Sequence, residues 1–417
     1  MPLQSNEILG SRLKGGSDSD ENIIEPESKP GYERPPTRRG PQIVREDAGI
    51  AMNPKVSFVV PCYRLAHLLK ECIESILNQT YTDFEILILD DCSPDNTSEV
   101  AASFRDTRVQ YIRNEVNLKH LRNYNKGISL ARGKYIWLIS ADDCLRRPYA
   151  LERYVQILDK NPKVGYAFCS AVGLYEGQET EVLGYSVHGD RDWIMPGRRL
   201  LAKLVHANTI VAASGIVRRE CYDKVGLFPL DLPWGGDWYL WCAFALRFDV
   251  AYLAESLVCY RRHDSSMTNK LMQGNLDACY SDDIRIPWIL KKMVEESGSA
   301  ELTKECLRAI ANEYAHALTG KQYKAADSYS LLAPEQFEKS LNEHTPNPKE
   351  RSWVRARVYS GIADRYYGRN EFAKARQFYL KGLREYFWMP KVWTKWLLLS
   401  CGKAGVDLRS RVARFPS

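Results

Sequence analysis

From Val56 the chain alternates short unbroken apolar runs with stretches whose apolar residues recur every three or four positions, and this alternation restricts the fold more than any other feature. "VSFVVPCY" reads as a strand. "LAHLLKECIESILNQ" follows, with Leu65, Leu68, Leu69, Cys72, Ile73, Ile76 and Leu77 on one helical face, and "FEILILDD" is again a strand. A polar turn, a short helix near Thr97 to Phe104, the strand "VQYIRN", a helix ending in "ISLARG" and the strand "KYIWLISADD" complete the series. A strand that is apolar at every position is buried on both faces, which predicts an α/β domain: a mostly parallel central sheet covered by helices. In such sheets ligands sit beyond the carboxyl ends of the strands. The first, second and fourth strands end in Pro61-Cys62-Tyr63, Asp90-Asp91 and Asp142-Asp143, so topology gathers these residues beside one crevice.

Outside this series the chain changes character. Residues 1–50 are rich in Pro, Gly, Arg and acids ("SDSDENIIEPESKPGYERPPTRRGP") and cannot bury enough surface to offset ordering, which predicts a disordered tail. Beyond Asp264 the helical period dominates. "ANEYAHALTGKQYKAADSY" and "GIADRYYGRNEFAKARQFY" each give a helix, a Gly-containing turn, an aromatic, Ala three residues on and an aromatic three further. They look like tetratricopeptide helix pairs, although Tyr323 and Phe372 lie about 49 positions apart against ~34 for that repeat, and two units fall short of ~3. The expectation is a helical region packed on the sheet domain.

Composition excludes several classes. A net charge of +6 with scattered Lys and Arg argues against nucleic acid as the partner. The 11 cysteines include no CxxC pair and sit mostly in apolar segments, which predicts reduced core thiols. The start has no secretory pattern and no run approaches ~20 apolar residues, so the expected location is cytoplasmic. Trp388, Trp393 and Trp396 interleave with Lys391, Lys395, Lys403, Arg409, Arg411 and Arg414. That mixture suits either peripheral contact with an anionic membrane surface or aromatics packed among helices with solvated charges around them.

Two neighbouring carboxylates at the end of a buried strand repel each other unless something positive completes them. "VSFVVPCYR", "LDDCSPDNT", "SADD", "GGDWYLW" and "YRRHDSSMT" occur in that order between about Lys55 and Thr268. This series resembles the family 2 glycosyltransferases, and the resemblance covers about half the chain. It implies a GT-A nucleotide-sugar-binding fold over residues 51–268, followed by the α-helical region 269–417. It further implies a nucleotide-diphosphate sugar donor, a UDP-sugar first, with Mn²⁺ or Mg²⁺ and a glycan or lipid-linked acceptor in surface polysaccharide biosynthesis. A single displacement would invert the anomeric centre.

Residue by residue, the resemblance puts Tyr63, Asp91 and the backbone of Pro61 at the nucleotide. A ring can stack on a base, and a carboxylate can accept the imide N–H of uracil; Asp90 is expected to be structural. Asp95 in "DNTSE" serves equally as a helix cap. In "SADD" the family's leading Asp is Ser140, which leaves Asp143 as the expected metal ligand and Asp142 for a ribose hydroxyl or the following backbone. Hard cations favour such oxygen ligands. Asn125 and Gly127 fall into register, but the family's Gly is Lys119 and its Arg is Tyr124, so Arg122 or Lys119 stands in for the phosphate contact, or lies on a solvated helix face. His263 matches a third metal or diphosphate position, with Arg261 and Arg262 beside it; a lone His ending a strand can also be structural.

The family's Glu-Asp pair is Gly236-Asp237 here, which makes Asp237 the candidate general base. By itself Asp237 would equally be a helix N-cap. A helix N-terminus weakens a base, while the nearby tryptophans oppose that by desolvation. Two function classes fit: a transferase, and a catalytically inactive nucleotide-binding protein whose helices act as a scaffold. The set Asp91, Asp143, Asp237 and His263 favours the first.

Overall fold

The computed structural model describes residues 53–274, 276–319 and 332–401. The N-terminal stretch expected to be disordered, part of the first tetratricopeptide-like pair and the basic residues Lys403, Arg409, Arg411 and Arg414 lie outside the described residues. Strands β1 (Val56–Cys62), β2 (Phe84–Asp90), β3 (Val109–Arg113) and β4 (Tyr135–Leu138) run parallel, joined by helices α1 (Ala66–Leu77), α2 (Thr97–Ser103) and α3 (His120–Leu130). The second half adds β5 (Cys144–Leu145), β6 (Val164–Tyr175), β7 (Gln178–Val182), β8 (Trp193–Met195), β9 (Ile216–Arg218) and β10 (Asp249–Arg261). Its helices are α4 (Ala150–Lys160), α5 (Gly197–Leu204), α6 (Arg219–Val225) and α7 (Gly236–Ala245).

The main path of the sheet runs β3-β2-β1-β4-β9-β6-β10-β5. β6 and β10 are parallel to each other, while β9 is antiparallel to both its neighbours and bridges the two halves. Every residue of β1 and β2 is buried, as their unbroken apolar runs require. The faces alternate with period two: Phe58, Val60, Ile86 and Ile88 pack under α1 and α4, and Val59, Leu87 and Leu89 pack under α3. Gly127 is needed for that second layer, because a Cβ there would lie 2.4 Å from Cγ1 of Val59.

β4 ends earlier than "KYIWLISADD" suggests. The chain continues beside β1, with the N–H groups of Ile139 and Ala141 donating to the carbonyls of Val59 and Pro61, and then closes a turn in which Asp143 N–H donates to Ser140 O. Hence the two acids lie in a turn and not at the end of a pleated strand.

The remaining helices are α8 (Met267–Gly274), α9 (Leu276–Glu296), α10 (Ala300–Ala317), α11 (Pro334–His344), α12 (Pro348–Gly368), α13 (Phe372–Glu385) and α14 (Pro390–Ser400). α12 and α13 form a helical hairpin where the second tetratricopeptide-like segment was read. The core beneath α3, α5 and α7 continues without a break into Ile286, Leu290 and Val294 of α9 and Leu302, Cys306 and Ala309 of α10. All 11 cysteines are free thiols, nine of them buried. Among the described residues no helix is long and apolar enough to cross a membrane.

Candidate active site

The acidic turn is held from below by β10. Arg261 donates its backbone N–H to Oδ1 of Asp143 (2.9 Å), its Nε to the carbonyl of Asp142 (2.8 Å) and its Nη2 to Glu71 (2.6 Å). Arg261 is buried, so it braces the turn from inside and is not free for a phosphate, as its neighbourhood in sequence had suggested. Arg262 is solvent-exposed. His263 Nε2 lies 3.0 Å from Oδ2 of Asp142 while its Nδ1 meets Ser265 Oγ at 2.7 Å. The histidine therefore faces Asp142, and Asp143 faces Arg261. Oδ1 of Asp142 is buried without a hydrogen-bond partner among the described residues.

The two neighbouring carboxyls are driven apart in acidity. Burial, reinforced by the charge of Asp142, pushes Asp143 well above the ordinary carboxylate range. Burial also opposes ionisation of Asp142, but the hydrogen bond from His263 helps outweigh it and Asp142 lies below that range.

Asp237 begins α7, on a turn made by Gly235 and Gly236. Its Oδ2 accepts from Asn208 Nδ2 (3.0 Å) and its Oδ1 from the N–H of Trp238 (2.8 Å). Of the two opposing effects expected at this position, desolvation wins: burial raises the Asp237 pKa despite both hydrogen bonds. The result is a carboxylate more basic than one in water.

Asp142, Asp143 and Asp237 line one cavity of ≈ 460 Å³, together with Tyr124, Tyr185, Asn208, Trp238, Trp241 and Tyr260. The lining includes Met267 and Leu271 of α8, Asp283 of α9 and Glu313 of α10. Pro61, Tyr63, Asp91, Arg122 and His263 are not among the lining residues. Pro61 is buried with its carbonyl held by Ala141, which ties β1 to the acidic turn. Tyr63 is 36% exposed at the end of β1. Asp91 is buried next to it in the sheet; its Oδ1 accepts from Asn114 Nδ2 (2.8 Å) and Leu118 N–H (2.7 Å). These residues lie on the β1–β2 side of the strand ends. Arg122 is solvent-exposed on α3.

Asp90 is structural, as expected: it accepts from Tyr111, Arg113 and Ser93. Asp95 accepts from Thr97 N–H and Oγ and from Ala66 N–H, so it ties the starts of α1 and α2 together. Asn125 holds both backbone groups of Phe228, with Nδ2 donating to its carbonyl and Oδ1 accepting from its N–H. Lys119, which replaces the family's Gly, keeps the backbone a Gly would adopt, at φ 68° and ψ 162°. That region is essentially restricted to Gly and costs other residues about 1–3 kcal/mol. Lys119→Gly should therefore raise stability by about 1 kcal/mol after the extra unfolded-state entropy of glycine is subtracted. A urea midpoint at or below that of the parent protein would rule this out.

Asn208 had no sequence signal, since it ends a loop that matches no motif. Asp282 and Asp283 did carry one: "SDDIR" places two adjacent acids in an otherwise core-forming helix, the same anomaly as in "SADD".

A model of the family described as glycosyl transferase family 2 matches residues 57–224. An uncharacterized glycosyltransferase of Rickettsia typhi is 31% identical over 228 residues, which cover 52% of this chain and 67% of that protein. One from Haemophilus influenzae is 28% identical over 225 residues, covering 52% and 68%. Among solved structures, Staphylococcus aureus TarS 1–349 in complex with UDP-GlcNAc superposes with a TM-score of 0.53 at 15% identity, over 79% of this chain and 89% of that one. The motif order, the sheet topology and these matches agree: the chain belongs to the family 2 glycosyltransferases and is a glycosyltransferase of GT-A fold.

Proposed function

We propose that the chain transfers a sugar, with inversion, from a nucleotide-diphosphate donor to a hydroxyl of a glycan or lipid-linked acceptor in surface polysaccharide biosynthesis. The observation that carries this reading is that the acidic turn and Asp237, a carboxylate made more basic by burial, face the same cavity. Tyr63 and Asp91 receive the base on the β1–β2 side, Asp91 through Oδ2, which accepts no hydrogen bond from the described residues. The uridine nucleotides in the TarS structures belong to that protein, and they make UDP-sugars the first donors to test.

The acceptor hydroxyl lies against Asp237 in the aromatic part of the cavity. As its oxygen forms a bond to the anomeric carbon, Asp237 takes the proton and the bond to the diphosphate breaks, so that the nucleoside diphosphate leaves with its electron pair. One displacement on the face opposite the leaving group inverts the centre. Asn208 holds the carboxylate in place, and desolvation by the surrounding aromatics strengthens it as a base.

No three metal-ligating side chains converge among the described residues, yet the donor set fits Mn²⁺ or Mg²⁺. Such ions are often held by one or two carboxylates, with substrate phosphates and water completing the shell. The unpartnered buried Oδ1 of Asp142 would supply that oxygen, so in this reading Asp142, with His263 beside it, would be the first ligand in place of the Asp143 expected from the sequence. When bound, the ion would neutralise charge on the leaving diphosphate. A screen of UDP-hexoses, with and without Mn²⁺, should show UDP release above the no-enzyme rate; no release from any donor with a broad acceptor panel would refute the reading.

Peripheral membrane contact belongs to the same proposal. Trp393 and Trp396 pack against the α13–α14 core, whereas Trp388, 81% exposed, and Phe387 project from the connection between those helices. Sedimentation with anionic vesicles should fall severalfold in Phe387→Ala/Trp388→Ala, and equal sedimentation of the two proteins would exclude this contact.

A further inference from the structure

The family match ends at residue 224, yet the turn that presents Asp237 is gripped from beyond it. Oδ2 of Asp282, in α9, accepts the N–H of Trp234 at 2.7 Å and the N–H of Gly235 at 3.0 Å. Oδ1 of Asp283 accepts from the indole of Trp234 at 3.2 Å. One helical turn on, Arg285 donates to the carbonyl of Asp231 at 2.7 Å and to its carboxylate. Gly235 lies so close to α9 that a Cβ there would stand 2.2 Å from Cδ1 of Ile286. One face of one helix thus fixes the loop from Asp231 to Gly235, and α7 with Asp237 begins at the next residue.

The other side of the base is tied to the same helical region. Asn208 donates to Asp237, and two residues before it His206 Nε2 lies 3.2 Å from Glu305 of α10. Asp282 is buried at an energetic cost, since burial raises its pKa. A buried carboxylate spent on two backbone N–H groups of one turn is an expensive way to hold a loop that only connects.

We infer that α9 is a working part of the active site and that Asp282 is a positioning residue, setting Asp237 through the Trp234–Gly235 backbone. This rests on Asp237 being the base. Reactions of this kind lose large factors when a group is displaced by about 1 Å, so freeing the turn acts on turnover and leaves the nucleotide side, at the ends of β1 and β2, untouched.

The test uses the full chain and compares Asp282→Ala with Asp282→Asn, which keeps an acceptor oxygen. Turnover is read as UDP release from a UDP-hexose panel, and nucleotide binding as calorimetric affinity for UDP with Mn²⁺. Asp282→Ala should lower kcat about tenfold to a hundredfold with UDP affinity unchanged, and Asp282→Asn should restore most of the loss. Should Asp282→Ala fail to fold, Arg285→Ala, on the exposed flank of the same clamp, should lower kcat severalfold with UDP affinity intact. Normal kcat in a folded Asp282→Ala or Arg285→Ala, or equal loss of kcat and UDP affinity, overturns the inference. Asp237→Asn measured in parallel separates the two levels: full activity there overturns the base and this inference together, whereas an inactive Asp237→Asn with a normal Asp282→Ala overturns only the positioning role.

Discussion

Asp237→Asn should reduce sugar transfer by about 10²–10⁴-fold, the usual contribution of a positioned general base, without loss of stability. The two effects have one cause. Burial raises the Asp237 pKa, so the folded state holds the proton more tightly than the unfolded chain does. The stability this contributes is fully present below the ordinary carboxylate value, and it is lost as pH rises through the raised value. At neutral pH the ionised side chain is therefore a liability to the fold, and the amide removes it, its one oxygen keeping the Trp238 N–H while Asn208, itself an amide, turns its oxygen to the new NH2 group. A melting temperature equal to or above that of the parent, together with lost turnover, is the expected pair of results. In the parent enzyme kcat should fall on the acid side as Asp237 takes up its proton, with the limb displaced upward from the ~3.9 of a free aspartate. A kcat flat from pH 8 to pH 4 would remove Asp237 from the reaction.

The second large effect is expected at the acidic turn. Asp142→Asn replaces the side chain that carries the unpartnered buried oxygen and should cut kcat/KM by about 10²–10³-fold, the range for loss of one preorganised electrostatic contact to developing charge. Any strengthening of UDP binding by Mn²⁺ should vanish with it. Asp143→Asn should be milder in Mn²⁺ response, because Asp143 already spends Oδ1 on the Arg261 N–H and burial disfavours its charged form. Calorimetric UDP titrations with and without Mn²⁺ distinguish them: an unchanged Mn²⁺ response in Asp142→Asn, with loss in Asp143→Asn, would return the ligand role to Asp143.

The half of the fold up to β4 was legible because each strand is an unbroken apolar run and each helix an amphipathic one. α1, α2 and α3 fall where the periodicity put them. The acidic pair was legible as an anomaly, though not its geometry. Which oxygens of Asp142 and Asp143 are held depends on Arg261 and His263, about 120 positions away in the sequence, and no local pattern encodes that. Asp237 could be found by motif, while the contest between helix N-terminus and desolvation needed the packing around α7 to decide it. Asn208 was invisible for the same reason, since it acts through a single long-range hydrogen bond that leaves no periodicity; the α9 clamp showed only as the acidic pair in "SDDIR", and its partners at Trp234 and Gly235 had no local sign.

The central claim is that donor and base meet in one cavity, with the diphosphate at the acidic turn and Asp237 across from it. A crystal structure of Asp237→Asn with UDP-GlcNAc and Mn²⁺ tests it most directly. The account predicts the diphosphate beside Asp142, uracil between Tyr63 and Asp91, and the anomeric carbon turned toward residue 237. Nucleotide bound elsewhere, or a sugar turned away from residue 237 with Asp142 touching neither ion nor phosphate, would contradict it.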